Sequence, residues 1–202
     1  MSANLQQWAG KHCKTECMDV RVERTRKSLQ QALLELAREQ ALDEITIGNI
    51  VERAGVNRSS FYQHYSDKDT LLADALDAAE ANAGARVPEF DGPLPPHPPR
   101  DLVAYLQHFE TNAELYRLVL GERGSSVAAG RIRSRLQIAA SEGVAISGSH
   151  AFEGVPLDIV GAGIAGSALA VIEAWLARDP RPPVETAAEW VWRVLIGPGQ
   201  RN

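Results

Sequence analysis

Cysteine and lysine are both scarce here, and each scarcity excludes something. Only Cys13 and Cys17 occur among 202 residues, so no disulfide framework staples a small secreted fold. With His12 they form an HC-x3-C cluster, for which incidental thiols in an N-terminal tail are a better reading than metal binding or redox sensing. Long apolar runs are missing as well. The longest uncharged stretch of the C-terminal part lies between Asp158 and Glu173, short of the roughly 20 residues a bilayer crossing needs. The opening MSANLQQWAGKHC lacks the apolar segment of a signal peptide, and Met18 is a second candidate start. The expectation is a cytoplasmic protein with no membrane partner.

A basic surplus is lacking too. The net charge of -5 argues at first against a nucleic-acid partner, because phosphate binding wants a basic surface. Distribution removes most of that objection: residues 1–70 hold ten basic and ten acidic residues, against 11 and 16 in the remainder, and all four lysines, Lys11, Lys14, Lys27 and Lys68, lie in the first part. Enzyme signatures are absent: there is no glycine-rich phosphate loop after a strand, no nucleophile elbow, and no metal-ligand pair at helical spacing outside the tail. No catalytic residue and no cofactor is therefore expected.

What is present is helical patterning. With 45% hydrophobic and 23% charged residues, the chain has the composition of a globular protein. From Val22 to Glu39, Leu29, Ala32, Leu33 and Leu36 recur at helical spacing. Thr46 can cap a second helix with the stripe Ile47, Ile50, Val51 and Ala54, and Gly55 ends it cheaply in the left-handed conformation. Asn57 caps a third helix two residues later. Two short helices joined so tightly form a helix-turn-helix.

At 100 degrees per residue, Phe61 and Tyr65 of the third helix face inward. Ser59 and Gln63 point away, flanked by Ser60 and His64 on one side and Arg58 and Tyr62 on the other. These groups supply the donors and acceptors that read base edges and hold phosphates. Asp67 caps a fourth helix with the stripe Leu71, Leu72, Ala75, Leu76 and Ala79, and Lys68 sits in its first turn, where an anion is favoured. Residues 84–100 contain six prolines and read as a linker. Beyond it come three helices, then the apolar VPLDIVGAGIAGSALAVIEAWLARD and a last helix through VETAAEWVWRVLI, with no repeat and no convincing strand.

From about Arg24 to Leu72, through Gly55, Val56, Phe61, Tyr62, His64, Lys68 and the leucine pair, the sequence resembles the TetR family of bacterial transcription regulators. It departs from that pattern at Gln40, near where the first helix usually ends in glycine, and at Gly48, where a side chain often reaches the groove. Base reading is thus left mainly to the third helix. The resemblance implies an all-α fold: a tail over 1–19, a three-helix DNA-binding module over 20–66, and a larger effector-binding and dimerisation domain over 67–202. It implies DNA contacts by Arg24, Thr46, Asn57, Arg58, Ser59, Ser60, Tyr62, Gln63, His64 and Lys68, in a homodimer on a palindromic double-stranded operator.

Tyr105, His108, Phe109 and Tyr116 would wall the family's effector cavity, although such a stripe is more often plain core. Arg131, Arg133 and Arg135 alternate, so only one or two of them can point inward. The small-residue run GAGIAGSALA lets two helices approach closely, which assigns Ile159, Gly163, Gly166, Ala170, Trp190 and Val194 to a dimer interface. The expected function is a repressor released by a small, largely apolar effector. A constitutive or architectural DNA-binding dimer with no pocket is the alternative.

Overall fold

The computed structural model describes residues 3–84, 95–121, 124–147 and 152–196, with side chains from residue 20 onward. Nine helices and no strand occur among these residues: α1 (Ala3–Glu39), α2 (Ile47–Ala54), α3 (Arg58–His64), α4 (Lys68–Asn82), α5 (Arg100–Thr111), α6 (Ala113–Leu120), α7 (Ser126–Ser147), α8 (Leu157–Leu176) and α9 (Val184–Ile196). The fold is all-α. Residues 3–19, expected as a separate tail, carry the same helical assignment as the rest of α1. The side chains of Cys13 and Cys17 lie outside the described residues, as does most of the proline-rich segment, 85–94.

The chain divides into two compact units, Met1–Ala75 and Leu76–Asn202. The boundary expected after residue 66 thus falls inside α4. Two contacts explain why the first turns of α4 stay with the N-terminal unit: Arg26 of α1 pairs with Asp74 at 2.5 Å, and the Lys68 ammonium bonds the chain between α1 and α2. The core of this unit is Leu29, Leu33, Leu36, Ile45, Ile50, Phe61, Leu71 and Leu72, all buried. It contains the stripe read on the first helix. Of the α2 stripe only Ile50 is buried, and Ile47, Val51 and Ala54 are half-buried.

In the C-terminal unit α8 packs between α7 and α9, α5 lies against α9, and α6 touches both α7 and α8. Gly161 sets the α7–α8 approach: a Cβ there would stand 2.1 Å from Ser141 Oγ and 2.8 Å from the Gln137 carbonyl. Trp175 and Trp192 are buried, and each satisfies its indole N–H on a backbone carbonyl, Pro182 at 2.9 Å and Pro95 at 3.0 Å. One sequence expectation needs correction. With 20 residues and a mean hydropathy of 1.8 over an 18-residue window, α8 is long and apolar enough to cross a membrane by length and composition, because the helix continues past Asp158 and Glu173 at its ends. Its packing between α7 and α9, with Val160, Ala165, Leu169, Ile172 and Leu176 buried, is that of a core helix.

Candidate nucleic-acid interface

Local chemistry fixes the start of α2. The Thr46 hydroxyl accepts from the Asn49 N–H at 3.2 Å, and the Asn49 side-chain oxygen accepts from the Thr46 N–H at 3.0 Å. This reciprocal box satisfies two of the amide donors that a helix start leaves unpaired. The Thr46 hydroxyl proton also goes to Asn49 at 2.5 Å, so this residue builds the helix end before it can meet any ligand. Gly55 closes α2 at φ 65° and donates back to the Glu52 carbonyl, a conformation that costs any other residue except asparagine or aspartate dearly. Arg53 then ties α2 to α1 through a two-pronged contact with Glu39 at 2.8 and 2.7 Å. That guanidinium holds the Glu39 carboxyl below its ordinary range.

Asn57 opens α3. Its side-chain oxygen accepts from the Ser60 N–H at 2.8 Å and from the hydroxyls of Ser59 at 2.7 Å and Ser60 at 2.9 Å. Both serines therefore turn their protons back onto the cap and offer lone pairs outward. Beneath them Phe61 is buried, and its ring meets Tyr62 edge-on at 5.4 Å. Tyr62 remains 52% exposed, with Arg58 and Gln63 exposed and His64 half-buried. The face read from helical geometry is the one presented. No ion pair involves Arg58 among the described residues, and its guanidinium stands at the start of α3.

Tyr65 anchors the other side of α3. Its hydroxyl accepts from Gln30 at 3.2 Å and from Arg26 at 3.4 Å; burial pushes its ionisation up, so it stays a neutral phenol. The Tyr65 hydrogen bond first and Asp74 second hold Arg26 in its charged form. This cluster joins α1, α3 and the first turns of α4, and nothing in helical periodicity announced it.

Lys68 departs from the expected role. Its ammonium donates to the carbonyls of Leu42 and Ile45, the latter at 2.9 Å. Two of three protons are thereby committed inside the module rather than to a phosphate. Arg24 is exposed on α1.

The remaining assigned residues lie in the C-terminal unit. Tyr105, His108, Phe109 and Tyr116 do come together, but chiefly on one another: Phe109 and Tyr116 have ring centroids 4.2 Å apart, and Tyr105 and Phe109 5.2 Å apart. His108 and Phe109 line neither of two cavities in this unit. Tyr105 alone reaches an apolar cavity of about 70 Å³ between α5, α7, α8 and α9, whose other walls include Leu136, Ala139, Ala140, Ala165, Ala168 and Trp192. Tyr116 edges a broader open depression of about 440 Å³ with charged Arg117 and Glu173 on its rim, a less selective setting for an apolar ligand. The aromatic set is thus mostly core.

Sequence reading missed the polar cluster behind those rings. Arg135 pairs with Asp77 at 2.6 Å and with Glu80 at 2.8 Å, while Arg131 pairs with Asp77 at 3.3 Å. Tyr116 donates to Glu80 at 3.2 Å and meets His108 Nε2 at 2.9 Å. Burial raises the Glu80 carboxyl and lowers His108 from their ordinary values. The available signal was charge at matched spacing, Asp77 and Glu80 three apart against Arg131 and Arg135 four apart. Two of the three alternating arginines face inward, and Arg133 is exposed.

On α8 the proposed interface residues Ile159, Gly163 and Ala170 are exposed and Gly166 is half-buried; on α9 Val194 is 50% exposed and Trp190 half-buried. The Arg178 guanidinium lies over the Trp190 ring, 4.9 Å from its centroid.

Residues 30–75 match the family described as bacterial regulatory proteins, tetR family. Over this segment the chain is similar to the DNA-binding part of TetR-family regulators. Among curated relatives, the uncharacterized HTH-type transcriptional regulator YxbF of Bacillus subtilis (strain 168) is 42% identical over 64 residues, 31% of this chain and 17% of that protein. The HTH-type transcriptional regulator AcrR of Shigella flexneri is 26% identical over 99 residues, 48% of this chain and 46% of that one. The chain thus spans less than half the length of these relatives. A TetR transcriptional regulator from Streptococcus agalactiae 2603V has the same fold at TM-score 0.63 and 22% identity, over 90% of this chain and 98% of that one. The dihydroxyacetone kinase operon activator DhaS follows at TM-score 0.59 and 14% identity, over 85% and 94%. The likeness of fold to these two structures therefore covers most of the chain, C-terminal helices included.

Proposed function

We propose that this chain is a sequence-specific DNA-binding transcriptional regulator of the TetR family that acts in the cytoplasm as a homodimer on a palindromic operator. The observation that carries this reading is the outer face of α3: Arg58, Tyr62 and Gln63 are exposed on a short helix whose start is fixed by Asn57 and whose back is fixed by Phe61 and Tyr65. A rigid helix with donors and acceptors on one face suits the major groove, where N-terminal residues of a recognition helix meet base edges. A local charge balance near zero, against an acidic remainder, makes this the face on which DNA is least repelled.

The regulator acts as a repressor whose operator affinity a small, largely apolar effector reduces, by binding one dimer arrangement more tightly than another. The apolar cavity between α5, α7, α8 and α9 supports that reading. The packed aromatic set favours the alternative of a constitutive DNA-binding dimer, and DhaS, named an activator, keeps activation in view. Footprinting of the purified full chain on fragmented genomic DNA, with and without metabolite extract, separates effector-controlled from constitutive binding, and transcription from a protected promoter in vitro separates repression from activation. Protection of a few palindromic sites that extract relieves supports the effector-controlled repressor; protection that no extract alters selects the constitutive dimer; uniform coating of all DNA removes sequence specificity.

A further inference from the structure

We propose that Arg26 of α1 is a positioning residue for sequence discrimination: by bridging Tyr65, at the C-terminal end of α3, to Asp74 of α4, it sets the angle at which Arg58, Tyr62 and Gln63 meet base edges. This rests on the DNA-binding reading above and names what holds its recognition helix in place.

α3 has seven residues, Arg58–His64, too few for its own backbone bonds to hold it. Its orientation is therefore set at its two ends and by the rings beneath it. At the N-terminal end the Asn57 side chain accepts from the Ser60 N–H. At the other, the Tyr65 N–H donates to the Phe61 carbonyl at 2.9 Å, and the buried Tyr65 ring lies beside Phe61 with centroids 6.0 Å apart. Apolar burial is non-directional, so it holds α3 down without fixing its tilt. The directional contacts come from α1. Gln30 donates to the Tyr65 hydroxyl at 3.2 Å and Arg26 Nε at 3.4 Å. The Arg26 guanidinium also lies 5.8 Å from the Tyr65 ring centroid, and its Nη2 pairs with Asp74 at 2.5 Å. One planar fork thus ties three helices together.

The shortness of α3 makes its far end matter. At about 1.5 Å of rise per residue, Tyr65 stands roughly 10 Å along the axis from Arg58, so a tilt of about 10° pivoting on the Asn57 cap moves the Tyr65 end by roughly 2 Å. Tyr62 and Gln63 lie within a turn of that end. Hydrogen bonds weaken steeply outside about 2.7–3.2 Å, so such a shift spoils base contacts, whereas attraction to phosphate charge acts over several ångströms. The Arg26 charge is already paired with Asp74, so this residue works through Tyr65 rather than on a phosphate.

In the test, full-length protein selects its preferred sites from a randomised duplex library, and affinities are measured on the best site and on each single-base variant of it across a salt series. Arg26→Met is expected to lower discrimination about tenfold at the positions α3 reads, with the salt slope unchanged. Tyr65→Phe, which keeps the ring and removes the hydroxyl, should lower discrimination at the same positions, and the double variant should lose no more than Arg26→Met alone. The ratio of affinities decides, because a smaller folded fraction weakens every affinity by the same factor and leaves ratios untouched. A uniform loss with the slope unchanged makes Arg26 a stabilising contact only and overturns the proposal. A uniform loss with the slope lower by about one, restored by Arg26→Lys, makes it a phosphate contact instead. Unchanged affinity and discrimination overturn it as well. If wild type itself selects no site, the sequence-specific reading falls and this proposal with it.

Discussion

Replacing Lys68 by methionine removes the ammonium and keeps most of the stem, which makes it a direct trial of what this residue does. In the structure its Nζ donates to the Leu42 and Ile45 carbonyls and so fastens the start of α4 to the connection between α1 and α2. A hydrogen bond with one charged partner contributes about 1.5–3 kcal/mol. Two such bonds at a half-buried site, where water replaces part of what is lost, give a net loss of about 2–3 kcal/mol. At about 1.4 kcal/mol per factor of ten, amides of residues 42–50 that exchange through this opening should exchange roughly 30 to 150 times faster.

Operator affinity should fall with it, because α2 and α3 are set by that connection, but with little change in its dependence on salt. A lysine on a phosphate behaves differently: its removal weakens all sequences alike and lowers the salt slope by about one. Hydrogen exchange and operator binding across a salt series therefore separate the two roles. Unchanged exchange together with a salt slope lower by one would return Lys68 to the phosphate contacts and make its carbonyl bonds incidental.

How much of this was legible in the sequence depended on range. The caps at Thr46, Gly55 and Asn57 were readable because a cap is decided by a residue and its neighbours three or four positions on, and the structure has each where the sequence put it. The inward placement of Phe61 and Tyr65 followed from helical geometry alone. The purpose of Lys68 was not legible: its partners lie 26 and 23 positions away, and only the folded module brings them near. The unit boundary escaped for the same reason, since the Arg26–Asp74 pair that retains the first turns of α4 joins residues 48 apart. Spacing placed Tyr105, His108, Phe109 and Tyr116 on inner faces, but whether an inner face is packed or open depends on the helices opposite. There, Ala139, Ala140, Ala165 and Ala168 leave room beside Tyr105.

Three further outcomes are expected. Arg58→Ala should cost about 1–3 kcal/mol of operator affinity and relax preference at one position of each half-site; an equal loss on every sequence in a randomised library would make Arg58 a backbone contact. His108 carries a stability effect with a definite sign. Burial first and the Arg135 charge second lower its pKa from the ordinary 6.5, so as pH falls through that value the unfolded chain takes the proton first and stability is lost. His108→Gln should therefore lose less stability than wild type between about pH 7 and 5.5, and parallel urea midpoints would show that His108 does not titrate differently on folding. The last outcome concerns the exposed apolar stripe of α8, where Ile159 is 58% exposed and Gly163 and Ala170 face outward. On an isolated chain, Ala170→Arg is a surface change worth within about 0.5 kcal/mol. In a dimer packed through this stripe it buries an unpaired charge, which costs several kcal/mol and should separate the subunits. Operator affinity should then collapse, because half-sites about one helical turn apart require two linked recognition helices. Sedimentation of Ala170→Arg as the same species as wild type, with operator binding intact, would remove α8 from the interface.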